Sequence, residues 1–392
     1  MADRSALEAA AAAGVINAEQ VGPLYDFLSS QQAGVKPALA GEEDLRFIRN
    51  FHDVFLAIGI VLFAVGLAIA IGTWVAGSAH EPRQAALLAG GLSATAAVVM
   101  WLLGEVFARR RRLFLPAIAI VVSMTAFAVV GAASLYFGLL IGENVNLDAD
   151  LSQGMPPQVR AGLMLAAAFA FITPLMFYAR FRLPFSMGLA GGGVAAFIIA
   201  TALMFSFDET LKLLPAIYLG LGVLLFFAGV AFDARDPMRT TRYSDNGFWL
   251  HFAAAPLILN GAFGLVTMAF GGGQVSGAAG LVMASADENA NALGQAAATL
   301  AVIIALGFIS LLINRRVLIV SALLTTGVAI GVIMNEFGLG AGALAASTLI
   351  VLGGFVLILG AGWHGVRRAL LGWVKPDGAW ARIFPPEAPA AA

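Results

Sequence analysis

Apolar stretches of about 20 residues, hydrophobic on every face, recur along this chain from Val54 to Trp363. As a helix, a stretch of that length spans roughly 30 Å, the hydrocarbon thickness of a bilayer. Backbone in lipid must satisfy its own hydrogen bonds, so only helices and closed barrels can cross. Barrel strands alternate apolar and polar side chains with period two, and these runs do not. The predicted class is therefore all-α, a polytopic bundle of about ten transmembrane helices. Composition agrees, with 60% of the 392 residues hydrophobic and 11% charged.

The spacing predicts spans over Val54–Val75, Ala85–Phe107, Leu113–Ile141, Ala161–Tyr178, Pro184–Phe205, Leu213–Phe232, Phe248–Gly271, Leu293–Ile313, Val317–Met334 and Leu339–Trp363. Leu113–Ile141 is too long to stand upright, which predicts tilt or a kink near its start. The apolar piece Ser276–Ala284 is too short to cross and reads as loop or interfacial chain.

Basic residues orient this bundle. Lys and Arg concentrate in short cytoplasmic connections. Arg109–Arg112 follow the second span, Arg180 and Arg182 the fourth, Arg235, Arg239 and Arg242 the sixth, and Arg315 and Arg316 the eighth. Together with those before the first span and after the last, they leave only Arg83, Arg160 and Lys212 of the 22 basic residues in the alternate loops. Those loops instead hold acids such as Glu81, Asp148, Asp208 and Glu209. The alternation predicts both termini in the cytoplasm. Three basic turns, "ARRRRLFLP", "ARFRLPFS" and "NRRVLIVS", look alike, as a decayed repeat of helical hairpins or as the ordinary chemistry of short arginine-rich turns.

The predicted organisation is a cytoplasmic helical head and linker over 1–40, an interfacial lead-in helix over 41–53, the bundle over 54–366, and a cytoplasmic juxtamembrane tail over 367–392. In the head, Ser5 and Glu8 have capping-box spacing, and Gly14 suits a left-handed helix end. Asn17 and Gln20 form a second capping box, stapled by Ile16 and Val21. Val21, Leu24, Tyr25 and Leu28 then make one apolar stripe. So small a hairpin buries little surface, so it is expected to lean on the membrane-proximal loops, a second copy or a protein partner. This head, "AAAGVINAEQVGPLYDFL" with its G-x-I-x-x-E-Q turn, placed before many spans, resembles the opening of a bacterial family of predicted multi-pass membrane proteins that carry a domain of unknown function. The resemblance implies a bacterial inner-membrane protein and brings no reaction, substrate or site residue.

Ionisable groups at membrane depth are functional candidates. The spans as drawn place no Asp, Glu, Lys or Arg at their middle. Glu105, His251 and Glu336 lie near span ends and read as interfacial ionisable groups, Glu105 pairing with Arg109 one turn on. On the seventh span, Pro256, Asn260, Gly264 and Thr267 share one face at 100° per residue. That face is the candidate intramembrane polar surface, predicted to point into the bundle, with Asn260 bonding a neighbouring helix and Gly264 allowing its approach. The glycine triplet 191–193 lacks the lysine of a phosphate loop and reads as a packing site.

No catalytic constellation, cofactor site or metal site is expected: cysteine is absent and the four histidines are scattered. A net charge of −1 gives no support to nucleic-acid binding. Two function classes remain. One is a carrier or channel for a neutral or amphipathic solute. The other is a non-transporting envelope, sensing or assembly protein that docks partners through its head. Ten spans are many for an anchor, which favours transport. The missing midplane charge counts against ion-coupled transport.

Overall fold

The computed structural model describes residues 4–26, 51–141, 155–236, 241–270 and 292–313, with a few isolated positions beyond. Every regular element among them is helical. The chain divides into two compact units, one within Met1–Asp44 and the other within Leu45–Pro386.

In the first unit, α1 (Arg4–Ala12) ends at Gly14, whose φ of 72° is the left-handed cap that its lack of a Cβ permits. Ser5 lies inside α1 rather than before it. A 3-10 turn follows over Ala18–Gln20, with the Gln20 side chain accepting the Asn17 backbone N–H at 3.0 Å. Residues 21–26 continue as helix.

Among the described residues, the second unit contains seven helices long and apolar enough to cross a membrane. They are α2 (Phe51–Ser78), α3 (Pro82–Gly104), α4 (Phe114–Tyr136), α5 (Pro157–Phe181), α6 (Pro184–Phe205), α7 (Phe207–Asp233) and α8 (Arg242–Phe270). An eighth apolar helix, α9 (Ala292–Ile313), packs on α8. Each matches a predicted span in order, usually extended by about one turn. The ninth and tenth predicted spans, the lead-in residues 41–50, Glu336 and the tail lie outside the described residues. Prolines open α3, α5 and α6, where a missing N–H costs nothing.

Predicted span Leu113–Ile141 is divided. A regular α4 gives way to a π-helical turn over Phe137–Ile141, so the irregularity lies at its end and not at its start. A second π turn, Glu105–Arg110, closes α3.

Helices pair as antiparallel hairpins, α3 with α4, α5 with α6 and α7 with α8. Further contacts join α2 to α4, α4 to α5, and α6 to α8. Two of the hairpin turns share one device. Arg112 and Arg182 have φ of 54° and 53°, and in each case the next residue, Leu113 or Leu183, is the extended N-cap of the following helix. Single left-handed residues let the chain reverse within two or three positions.

Lipid offers no hydrophobic drive to bring helices together, so close van der Waals approach has to do it. Small residues supply that approach. A Cβ on Gly193 of α6 would stand 2.5 Å from the Ala170 carbonyl oxygen of α5. On Gly222 of α7 it would stand 2.7 Å from Ile258 of α8. Between α3, α4 and α5 the core is larger and aromatic: Met100, Ile120 and Phe177 are fully buried, with Phe177 and Phe181 rings 4.3 Å apart.

The three basic residues on the minority side are all engaged. Arg83, in the first turn of α3, donates its Nε to the Gly138 carbonyl at the end of α4 at 3.1 Å. Arg160, in the first turn of α5, donates to the Leu203 and Met204 carbonyls at the end of α6 at 3.3 and 3.4 Å. The Leu203 and Met204 carbonyls lie in the last turn of α6, where intrahelical donors run out. Lys212 pairs with Glu209 at 2.8 Å.

Candidate functional site

The buried polar residues concentrate where α5 ends, α6 begins, α7 ends and α8 begins. Asp236, just past α7, accepts the Thr241 backbone N–H at 2.7 Å and its hydroxyl at 2.6 Å, which ties the two ends of the α7–α8 connection together. Helix α8 therefore starts at Arg242, about two turns before the hydrophobic run that predicted it. Its polar first turns carry Ser244 and Asn246 into the interior. Asn246, 1% exposed, donates its Nδ2 to the Tyr178 hydroxyl of α5 at 2.7 Å. Its Oδ1 and the hydroxyl of the fully buried Ser186 of α6 are both shielded, with no protein hydrogen-bond partner. Buried acceptors of this kind ordinarily take a donor.

One turn deeper, His251 is fully buried and its Nε2 lies 3.3 Å from Asp233 Oδ2. Asp233 is the last residue of α7, and its side chain is 13% exposed. The ring of Phe226 lies 4.9 Å from the imidazole, centre to centre. Two glycines make the space. Gly229 is one turn before Asp233 on α7, and a Cβ there would lie 2.8 Å from the imidazole Cε1. Gly247 is one turn before His251 on α8, and a Cβ there would run into the Asp233 carboxylate. The arrangement is reciprocal: each helix offers a glycine to the other's ionisable side chain. An imidazole against a carboxylate can take up or release one proton without either group leaving the pair. The carboxylate keeps some exposure and the imidazole has none.

His251, expected near the inner end of its span, is enclosed by protein. It stands nine residues inside α8 and has no exposed surface, because the polar segment before it is helical as well. Sequence reasoning missed Asp233 altogether, since it fell one residue beyond the predicted sixth span. The motifs G-x-x-x-D over 229–233 and G-x-x-x-H over 247–251 were the available signal.

The other candidates separate. Glu105 pairs with Arg109 at 3.2 Å, and also with Arg180 of α5 at 2.7 Å. The four positions on the predicted polar face of α8 have different surroundings. Gly264 packs on the Pro215 ring of α7 and Thr267 is buried, whereas Pro256 is exposed. Asn260 is half-buried and donates its Nδ2 to the Pro256 carbonyl of its own helix at 2.7 Å. Residues sharing a helix face share an environment only where a neighbour covers them, and α7 covers the Gly261–Gly264 region.

At the opposite ends of α5, α6 and α7 lies an open cleft of about 650 Å³. Gln158, Arg160, Ser206, Asp208 and Glu209 contribute its polar lining. The Arg160 guanidinium sits 5.5 Å from the Phe207 ring centre.

Comparison with protein-family models, curated proteins and solved structures finds no match, so no role reaches these residues from a relative.

Proposed function

We propose that this chain is a ten-span bacterial inner-membrane carrier with both termini cytoplasmic, and that the Asp233–His251 pair couples movement of a neutral or amphipathic solute to a proton. The buried pair is the observation that carries this reading. Ionisable residues inside a membrane bundle are expensive, and they mark ion and proton pathways more often than packing. Helix α7, which carries Asp233 at one end, begins at the 650 Å³ cleft at the other, where Phe207, Asp208 and Glu209 line it. The arginine turns, on the side of the pair, would face the cytoplasm.

The test is proton movement in proteoliposomes containing a pH-sensitive dye. Under an imposed gradient and a mixture of candidate solutes, the wild type should acidify or alkalinise the lumen in a solute-dependent way. Asp233→Asn and His251→Gln keep side-chain shape and should abolish that signal while the protein remains folded. Unchanged proton movement in both variants would refute the reading. A second reading, docking of a partner through the head, is favoured by the head's forming its own compact unit. Under that reading wild type and variants alike move no protons with solute, and removal of residues 1–40 abolishes partner capture.

A further inference from the structure

The ends of α3 and α5 bring two arginine turns together. Arg109, Arg110, Arg111 and Arg112 follow α3, and Arg180 and Arg182 close α5. All six are exposed. Glu105 holds the turns in register by accepting Arg180 Nε at 2.7 Å and Arg109 Nη1 at 3.2 Å. One carboxylate thus engages two guanidiniums. Arg110, Arg111, Arg112 and Arg182 have no carboxylate partner among the described residues. Arg112 and Arg182 are the left-handed hinge residues, and the Arg111 guanidinium lies 5.9 Å from the Phe107 ring centre.

Directly inside the arginines the helix surfaces are apolar and open. Leu102 of α3, Val106 of the π turn that closes it, and Leu175 and Met176 of α5 are exposed large hydrophobics. Cationic side chains at a helix end above bare aliphatic surface match a molecule with an anionic head and a hydrocarbon tail. Guanidinium is the side chain that meets a phosphate with two parallel hydrogen bonds, and six of six positions here are arginine. We infer that the α3 and α5 turns form a binding site for an anionic phospholipid, with its phosphate between Arg110, Arg111, Arg112 and Arg182 and its acyl chains along α3 and α5. Basic clusters at the cytoplasmic ends of spans bind anionic headgroups in this way. A free phosphate would satisfy the arginines but not the aliphatic surface, so the site is assigned to lipid. The inference stands whether or not the chain is a carrier.

Thermal unfolding of the full chain in neutral detergent tests it, with phosphatidylglycerol, phosphatidylcholine or glycerol 3-phosphate added. Phosphatidylglycerol should raise the unfolding midpoint, and the other two should not. In Arg110→Gln/Arg111→Gln, which keeps Arg109 and Arg112 to preserve orientation, the concentration of phosphatidylglycerol giving half the effect should rise at least tenfold. Arg110→Lys/Arg111→Lys keeps the charge and should fall between that variant and wild type. Equal stabilisation by phosphatidylcholine overturns the assignment, as does an undiminished response in the glutamine variant. A response to glycerol 3-phosphate matching that to the lipid would also overturn it, as a soluble-anion site.

Discussion

Gly229→Ala tests the His251 pocket with a single methyl group. The new Cβ would lie 2.8 Å from Cε1 and 3.0 Å from each ring nitrogen. Carbon contacts settle near 3.5–4.0 Å, so the ring would have to retreat by about 1 Å. It has little room to do so, since it is fully buried against Phe226. Its bond to Asp233, already 3.3 Å, would lengthen past the useful range. Overpacking of this kind costs about 1–3 kcal/mol, set against a gain of up to ~1 kcal/mol from replacing glycine in a helix. The expected net effect is a loss of about 1–2 kcal/mol. Gly192→Ala is the internal control, because a Cβ there meets nothing within 4 Å and only the helix gain remains. Unfolding of purified protein in mixed micelles, titrated with denaturing detergent, measures both. His251→Ala combined with Gly229→Ala should recover part of the Gly229 loss, as neighbours in one cavity are not additive. If Gly229→Ala is as harmless as Gly192→Ala, or if the double variant is strictly additive, the pocket is not what fixes the pair.

Tyr178→Phe leaves the buried Asn246 Nδ2 without its acceptor and should destabilise by about 1–3 kcal/mol in the same assay. Asn260→Leu removes only a bond to its own helix and should change stability by less than about 1 kcal/mol, leaving proton movement intact. Because the chain has no cysteine, single cysteines can report topology directly. Cysteines at Arg112, Arg182 and Arg242 should be labelled from the cytoplasmic side, and those at His80 and Glu209 from the other.

Much of the bundle was legible because its signal is local. Each span from Val54 to Ile313 has a described helix in the expected order. The extensions at Phe51, Pro82, Pro157, Phe207 and Arg242 come from polar or proline-bearing turns that a hydropathy window discards. The Glu105–Arg109 pair was also visible, since four-residue spacing places both on one helix surface. Its second partner, Arg180, was not, because it arrives from another helix 75 positions away.

The sequence by itself determined the class of solvent, the order of the described helices and the alternation of charge along the chain. These depend on how many apolar residues follow one another and on what stands between them. Only the tertiary structure decided which side chains meet. In a soluble helix, polarity marks the exposed face and thereby hints at packing. Here lipid-facing and buried faces are equally apolar, so periodicity says little about rotation. Asp233 and His251 meet because Gly229 and Gly247 let α7 and α8 approach at one level, and Arg83 and Arg160 reach carbonyls at the ends of α4 and α6 because the hairpins bring those ends beside them. Such contacts are set by helix rotation and depth, which no single helix encodes alone.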